Sequence, residues 1–268
     1  MVLAVLGGDL AERLDAAVAA GRAELIATFR TWAKHYAVSL EDAKHESEDA
    51  DRELAELLTD RIVSGAVLDS ACPTVPLSSV LEERPSRGYS GPPVPERTGL
   101  FALGMGCLTA EGFVPHPLKH VPDDAGVRRF QLTDGDVLLS LAGGSELVGG
   151  AGRYRDIGAP CIYPHEMVRL RPDTQTCLPA YLEVVLRSEP VRQWMHARAQ
   201  TSTSLMKISS AVVMECPIPL PSLSEQARVV AVHAAFERRA TALRGELAKL
   251  RMVQHDVLEN LQPAPQDG

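Results

Sequence analysis

His116 and His120 stand four residues apart, a spacing at which two imidazoles can share a metal ion on one helix face. Pro115 and Pro117 flank the first of them, so they share no helix face and no metal site is expected. The five cysteines (Cys72, Cys107, Cys161, Cys177 and Cys216) are odd in number and form no C-x-x-C. A zinc ribbon or disulfide framework is therefore unsupported, and buried reduced thiols are the expectation. Asp123-Asp124 could be a carboxylate pair for nuclease chemistry but lacks a glutamate-x-lysine. Gly104-Met-Gly106 and Gly143-Gly144 lack the strand-G-x-G-x-x-G-helix context of a dinucleotide site, and no glycine loop ends in Lys-Ser/Thr. Gly91-Pro-Pro-Val94 has neither the amide or carboxylate nor the aromatic of the adenine-methyltransferase motif, and no Gly-x-Ser-x-Gly elbow is present. No residue is assigned a catalytic role. What remains is a set of local basic clusters, a feature that can serve nucleic-acid binding.

The elements that would position those clusters follow from charge and periodicity. The 268-residue chain carries a formal charge of −8, with 45% hydrophobic residues, enough for a folded core. Residues 1–70 hold seven Lys/Arg against fourteen Asp/Glu, residues 71–221 fourteen against fifteen, and residues 222–268 six against six. The acidity thus belongs to the N-terminal arm. No apolar run approaches the ~20 residues that cross a bilayer, and the N-terminus lacks a basic n-region, so a cytoplasmic protein without a membrane partner is expected.

Leu10, Leu14, Val18, Leu25, Phe29, Trp32 and Tyr36 recur at helical steps through residues 9–38. A second helix is predicted from Ser39 to about Ser64, with Leu54, Leu57, Leu58 and Ile62 as its stripe. From residue 77 prolines and glycines multiply and short apolar runs appear; Gly135–Leu141 is the clearest strand. One helix is predicted from Ala180 to about Arg198, with Tyr181, Leu182, Val185, Leu186 and Trp194 inward. Alternate prolines extend residues 217–221, and Ser222 with Glu225 forms a capping box for a last helix. There Val229, His233, Phe236, Ala240, Leu243, Leu247, Leu250, Gln254, Val257 and Leu261 make a four-three seam, a coiled-coil pattern. The seam needs a partner, either residues 9–64 or a second copy. The division is an acidic helical arm (1–70), a mixed domain (71–221), a coiled-coil helix (222–262) and a flexible tail (263–268).

Three segments then carry a family resemblance. Leu77-Ser-Ser-Val-Leu-Glu-Glu-Arg-Pro-Ser-Arg-Gly-Tyr-Ser-Gly91 is similar to the opening of a target-recognition domain. Leu132-Thr-Asp-Gly-Asp-Val-Leu-Leu-Ser140, running into Gly143-Gly-Ser-Glu-Leu-Val-Gly-Gly150, matches that domain's strand followed by a Gly/Ser loop. Pro217-Ile-Pro-Leu-Pro-Ser-Leu-Ser-Glu-Gln226 leads into a long heptad helix. In this order and spacing, over residues 75–262, they resemble the DNA-specificity subunit of type I restriction–modification systems, in a half-length form with a single target-recognition domain. The resemblance implies an α+β fold: one mixed α/β target-recognition domain flanked by long helices forming a coiled coil. It implies a non-catalytic subunit that reads double-stranded DNA and positions adenine methyltransferase (modification) subunits, with a restriction subunit in the complete complex. S-adenosylmethionine and ATP are then expected on those partners, and no cofactor in this chain. A half-length chain must pair to read a bipartite site, so a homodimer through the helices is expected. Trp32-Ala-Lys-His-Tyr-Ala-Val-Ser-Leu-Glu-Asp42 departs from the family and resembles the tail of the modification subunit. Two alternatives stay open: a coiled-coil scaffold or regulator that keeps the fold without reading DNA, and the C-terminal part of a fused methyltransferase–specificity protein.

DNA reading requires donors for base edges and for phosphate. Four places supply them. Arg84, Arg87 and Tyr89 lie in a Gly/Pro-rich loop; Arg128 and Arg129 adjoin just before a strand; Gly143, Gly144 and Ser145 form a loop whose backbone could approach DNA. Arg198, Gln200, Thr201, Ser202, Thr203, Ser204 and Lys207 form a polar run, and Arg153 with Arg155 is a further candidate.

Overall fold

The computed structural model describes residues 41–56, 72–201 and 205–260, together with scattered helical positions between residues 16 and 34. The chain divides into two units, residues 61–233 and residues 1–60 with 234–268. No helix among the described residues is long and apolar enough to cross a membrane.

In chain order the strands are β1 (Thr74–Pro76), β2 (Ser86–Arg87), β3 (Phe101–Leu103), β4 (Leu108–Thr109), β5 (Gly112–Phe113), β6 (Leu118–His120) and β7 (Val137–Ser140). They continue as β8 (Ala142–Gly143), β9 (Ala151–Arg153), β10 (Cys161–Ile162), β11 (Met167–Leu170), β12 (Gln200–Thr201), β13 (Met206–Lys207) and β14 (Pro217–Pro219). Helical residues 41–56 are α1; then come α2 (Ala125–Arg128), α3 (Pro179–Arg187), α4 (Glu189–His196), α5 (Ser210–Met214) and α6 (Leu223–Asn260). The result is a mixed α/β domain with a long C-terminal helix.

Unit 61–233 is organised by β7, the strand expected from its apolar run. A four-stranded antiparallel sheet runs β2-β11-β7-β9. All four β7 residues are buried, because the sheet is covered on both sides. Val137 and Leu139 enter one core with Leu182, Leu186 and Met195 of α3 and α4. Leu138 points the other way, into a second core with Leu108, Tyr154, Cys161, Tyr163 and Met167. Period-two alternation thus divides one strand between two cores. At the end of the sheet the buried Asp136 accepts from Arg171 Nε at 2.8 Å, Arg171 Nη2 at 3.0 Å and Thr133 N–H at 2.9 Å. This pairing raises the Arg171 pKa.

The single helix expected over 180–198 is two helices, α3 and α4, divided at Ser188 (φ −65°, ψ 145°). Pro190 is the cause: inside a continuous helix its ring would clash with the preceding turn and leave a carbonyl without its donor, whereas in the first turn of α4 it is tolerated. Tyr181, Leu182, Val185 and Leu186 face inward as expected, while Trp194 is half-buried.

The Pro-rich segment pairs as β14 antiparallel to β1, with Val75 opposite Ile218. Ile218 is buried and its flanking prolines exposed, an arrangement allowed only in a strand with a free side. The capping box forms: Glu225 N–H donates to Ser222 Oγ at 3.4 Å, and the Glu225 carboxylate accepts from Ser222 N–H at 3.0 Å and Ser222 Oγ at 2.7 Å. Those bonds hold the Glu225 carboxyl below its usual range. One turn on, the fully buried Gln226 accepts from Leu178 N–H at 2.8 Å and donates to the Thr176 and Pro221 carbonyls at 2.9 and 3.0 Å. It ties the start of α6 to the start of α3.

In the other unit, α1 turns Ala43, Ser47 and Ala50 inward at helical spacing. Arg239 of α6 donates to the Ser47 carbonyl at 3.2 Å and pairs with Asp51 at 2.6 Å, and Arg238 pairs with Glu53. The buried Ala235 lies on the Arg239 face of α6. The heptad seam does not: Phe236, Leu243, Leu247 and Leu250 are 50%, 46%, 48% and 47% exposed. Leu10, Leu14, Leu25, Phe29, Trp32, Tyr36, Leu57, Leu58, Ile62 and Leu261, predicted to be apolar helix positions, lie outside the described residues.

Candidate nucleic-acid interface

The Arg87–Tyr89 segment is fixed by main chain. Arg87 pairs with Val168 across β2 and β11, Tyr89 N–H donates to the Tyr163 carbonyl at 2.9 Å, and His165 N–H donates to the Tyr89 carbonyl at 2.9 Å. A Cβ at position 88 would fall 2.0 Å from the Tyr163 carbonyl oxygen, so only glycine lets the strands close this tightly. The Arg87 side chain is left exposed, with no acidic partner among the described residues.

Lys207 reaches the same place from far along the sequence. β13 pairs with β12 on one side and β8 on the other, setting Lys207 opposite Gln200 and Ala142. Leu141, fully buried, donates its N–H to the Glu166 carbonyl at 2.7 Å and accepts from Ile208 N–H at 2.8 Å. One residue thus pins both Glu166 and the strand bearing Lys207. Arg87, Lys207, His165 and Glu166 edge a cavity of about 340 Å3 whose apolar lining includes Met105, Ala142, Leu147 and Leu205. His165 Nδ1 lies 3.3 Å from a Glu166 oxygen. A second cavity, about 460 Å3, has an acidic edge of Asp134 and Asp156, unsuited to phosphate.

The structure therefore brings Arg87, Gly143 and Lys207 together on one rim. Tyr89 is half-buried, its ring 6.3 Å from that of Phe130, which in turn lies under the Arg129 guanidinium at 4.6 Å. Arg129 is thereby linked to the Tyr89 ring through Phe130. Arg84 is exposed, as are Gly144 and Ser145 in the turn after β8 and Thr201 in β12. Arg198 stacks on Trp194 at 4.0 Å and donates to the Trp194 carbonyl at 3.2 Å. Ser202, Thr203 and Ser204 lie outside the described residues.

Three expectations change. Gly143 belongs to strand β8 rather than to a loop, with φ +150°, and a Cβ there would fall 2.9 Å from Leu147 Cβ. Its bareness admits Leu147. Arg153 lies 3.6 Å from Glu183, with a side chain only 21% exposed, so it belongs to the interior packing between β9 and α3. Arg128 is held on Asp123, with Nη2 2.7 Å from Oδ2, which lowers the Asp123 pKa and raises that of Arg128. Sequence reasoning passed over His165, Glu166 and Met105. His165-Glu166 is an unremarkable dipeptide in sequence, and only its pinning by Tyr89 and Leu141 puts it on the rim. No group of three or more His, Cys, Asp or Glu side chains placed to hold a metal ion occurs among the described residues.

No family model matches the chain. Over 109 residues it is 30% identical to the specificity subunit of the type I restriction enzyme EcoKI from Escherichia coli (strain K12), a match covering 40% of this chain and 23% of that protein. Similar folds include the HsdS subunit from Thermoanaerobacter tengcongensis (18% identity, 85% of this chain and 55% of that one, TM-score 0.47). They also include a type I restriction–modification S subunit from M. genitalium (11% identity, 82% and 56%, TM-score 0.48). The chain thus spans about half the length of these solved structures, and the sequence match covers about a quarter of the EcoKI subunit. By the sequence match, 109 residues of this chain are similar to part of the specificity subunit of a type I restriction enzyme.

Proposed function

We propose that the chain is a non-catalytic, sequence-specific DNA-recognition subunit of a type I-like restriction–modification complex. The observation that carries the reading is the convergence of Arg87 and Lys207, 120 positions apart in sequence, on one strand-anchored rim where neither has an acidic partner among the described residues. Exposed cations on rigid elements can meet phosphate and guanine edges without reorganising. The match to the EcoKI specificity subunit supports the same reading.

The exposed seam Phe236–Leu243–Leu247–Leu250 supports pairing with a second copy, and a two-fold dimer would present two reading domains to a palindromic, bipartite site. Adenine methyltransferase subunits, and a restriction subunit where one exists, would bring S-adenosylmethionine and ATP chemistry to that site, in the cytoplasm. With a net charge of −8 per chain, much of the phosphate grip would come from those partners. The test is co-expression with the cognate modification subunit, light scattering of the product and mapping of adenine methylation. A dimer that captures methyltransferase and imposes a methylated motif is the expected result. A monomer indifferent to that subunit, with no chain-dependent motif, overturns the reading in favour of a scaffold or regulator.

A further inference from the structure

The rim of the 340 Å3 cavity carries one carboxylate that phosphate binding does not need. Glu166 is 37% exposed at its side chain, and one of its oxygens lies 3.3 Å from His165 Nδ1. Arg87 and Lys207 line the same cavity without coming within ion-pair distance of it. A carboxylate here repels phosphate and weakens non-specific binding. The fold nevertheless fixes it on both sides: the Glu166 carbonyl accepts from Leu141 N–H, and the preceding His165 N–H donates to Tyr89. An acceptor on a fixed main chain, lining one cavity with exposed cations and the apolar Met105 and Leu147, is complementary to a base edge that offers a donor beside acceptors. In the major groove those donors are exocyclic amines, while guanine O6/N7 and the phosphates suit the cations.

Resting on the DNA-reading function above, we infer that Glu166 is a specificity-determining residue that accepts a hydrogen bond from an exocyclic amino group in the major groove, cytosine N4 or adenine N6. Loss of the acceptor then relaxes one position of the target and leaves the others.

The experiment is selection and sequencing from a randomised duplex pool at low ionic strength, using the full chain in complex with its cognate modification subunit, in wild-type, Glu166→Ala and Glu166→Gln forms. The expected result is a wild-type motif in which Glu166→Ala loses roughly 5- to 100-fold preference at one position only. Glu166→Gln distinguishes the two sources. A cytosine contact shifts toward adenine, which Gln can bond at N6 and N7, whereas an adenine contact persists. Both substitutions leave the main-chain anchors in place, and an unchanged melting temperature checks the fold. If all three proteins enrich one identical motif, the inference about Glu166 fails while DNA reading stands. If the wild-type chain enriches nothing, DNA reading fails and the inference with it.

Discussion

Gln226 gives the most direct test of how the first turn of the long helix is held to the start of α3. Replacing it with alanine removes three hydrogen bonds from a side chain with no solvent exposure. Thr176 is exposed, and water can replace its lost bond; the Leu178 N–H and Pro221 carbonyl sit in half-buried residues and are less easily rehydrated. At ~1 kcal/mol for each bond, with an added penalty for groups left unpaired, Gln226→Ala should cost roughly 2–3 kcal/mol. For a domain of this size that lowers the melting temperature by roughly 5–10 °C. Gln226→Glu adds a pH signature. Its ionised form keeps the acceptor for Leu178 but faces two carbonyls with no donor, whereas the neutral acid keeps one donor. Burial raises its folded pKa above the unfolded ~4.3. Stability of this variant is therefore greatest below the unfolded pKa and falls as pH rises through the folded one. Circular dichroism melts of both variants across pH 4–8 (about the range that brackets this titration) provide the assay. A Gln226→Ala shift under about 2 °C, or a Gln226→Glu loss independent of pH, refutes the reasoning.

Asp136→Ala strands the Thr133 N–H and leaves Arg171 with only Glu83 at 3.6 Å and the Thr133 hydroxyl; it should cost about 3 kcal/mol, the low end for a broken buried pair because Arg171 keeps those partners and is 29% exposed, and urea unfolding measures it. Arg87→Ala and Lys207→Ala should each reduce the slope of log affinity against log salt on duplex DNA by about 1, whereas Arg153→Ala, whose charge is turned to Glu183, should leave it unchanged. Burial pushes the Cys107 and Cys161 thiols up to about 12 and the Cys177 and Cys216 thiols up to about 11. A thiol-titrating reagent at pH 8 (roughly neutral on this scale) should accordingly modify Cys72 quickly and the other four only on unfolding.

Local chemistry makes several elements legible in the sequence. β7 announced itself as an uninterrupted apolar run between turn residues, and the Ser222–Glu225 box and the prolines before it depend only on neighbours in sequence. The break at Ser188 was also local, yet the apolar stripe through 181–194 outweighed Pro190 in the reading because both helices bury the same side. The candidate interface was legible only in pieces. Arg87 and Lys207 could be named as exposed donors, but nothing short-range places them on one rim with Glu166, since that depends on pairings between distant strands. For the same reason Arg153 looked available: its partner Glu183 lies 30 positions away.

The anchoring at the rim has an evolutionary consequence. Positions 87, 166 and 207 are secured by peptide groups: β2 on β11, the Leu141 N–H on Glu166, and β13 on β8. Their side chains contribute little to that scaffold. Under the proposed function, neutral drift can therefore rewrite the chemical face offered to DNA one position at a time, while the demands of folding fall elsewhere, on Leu141, Gly88 and the two cores. A lineage built this way can acquire new targets without passing through unstable intermediates.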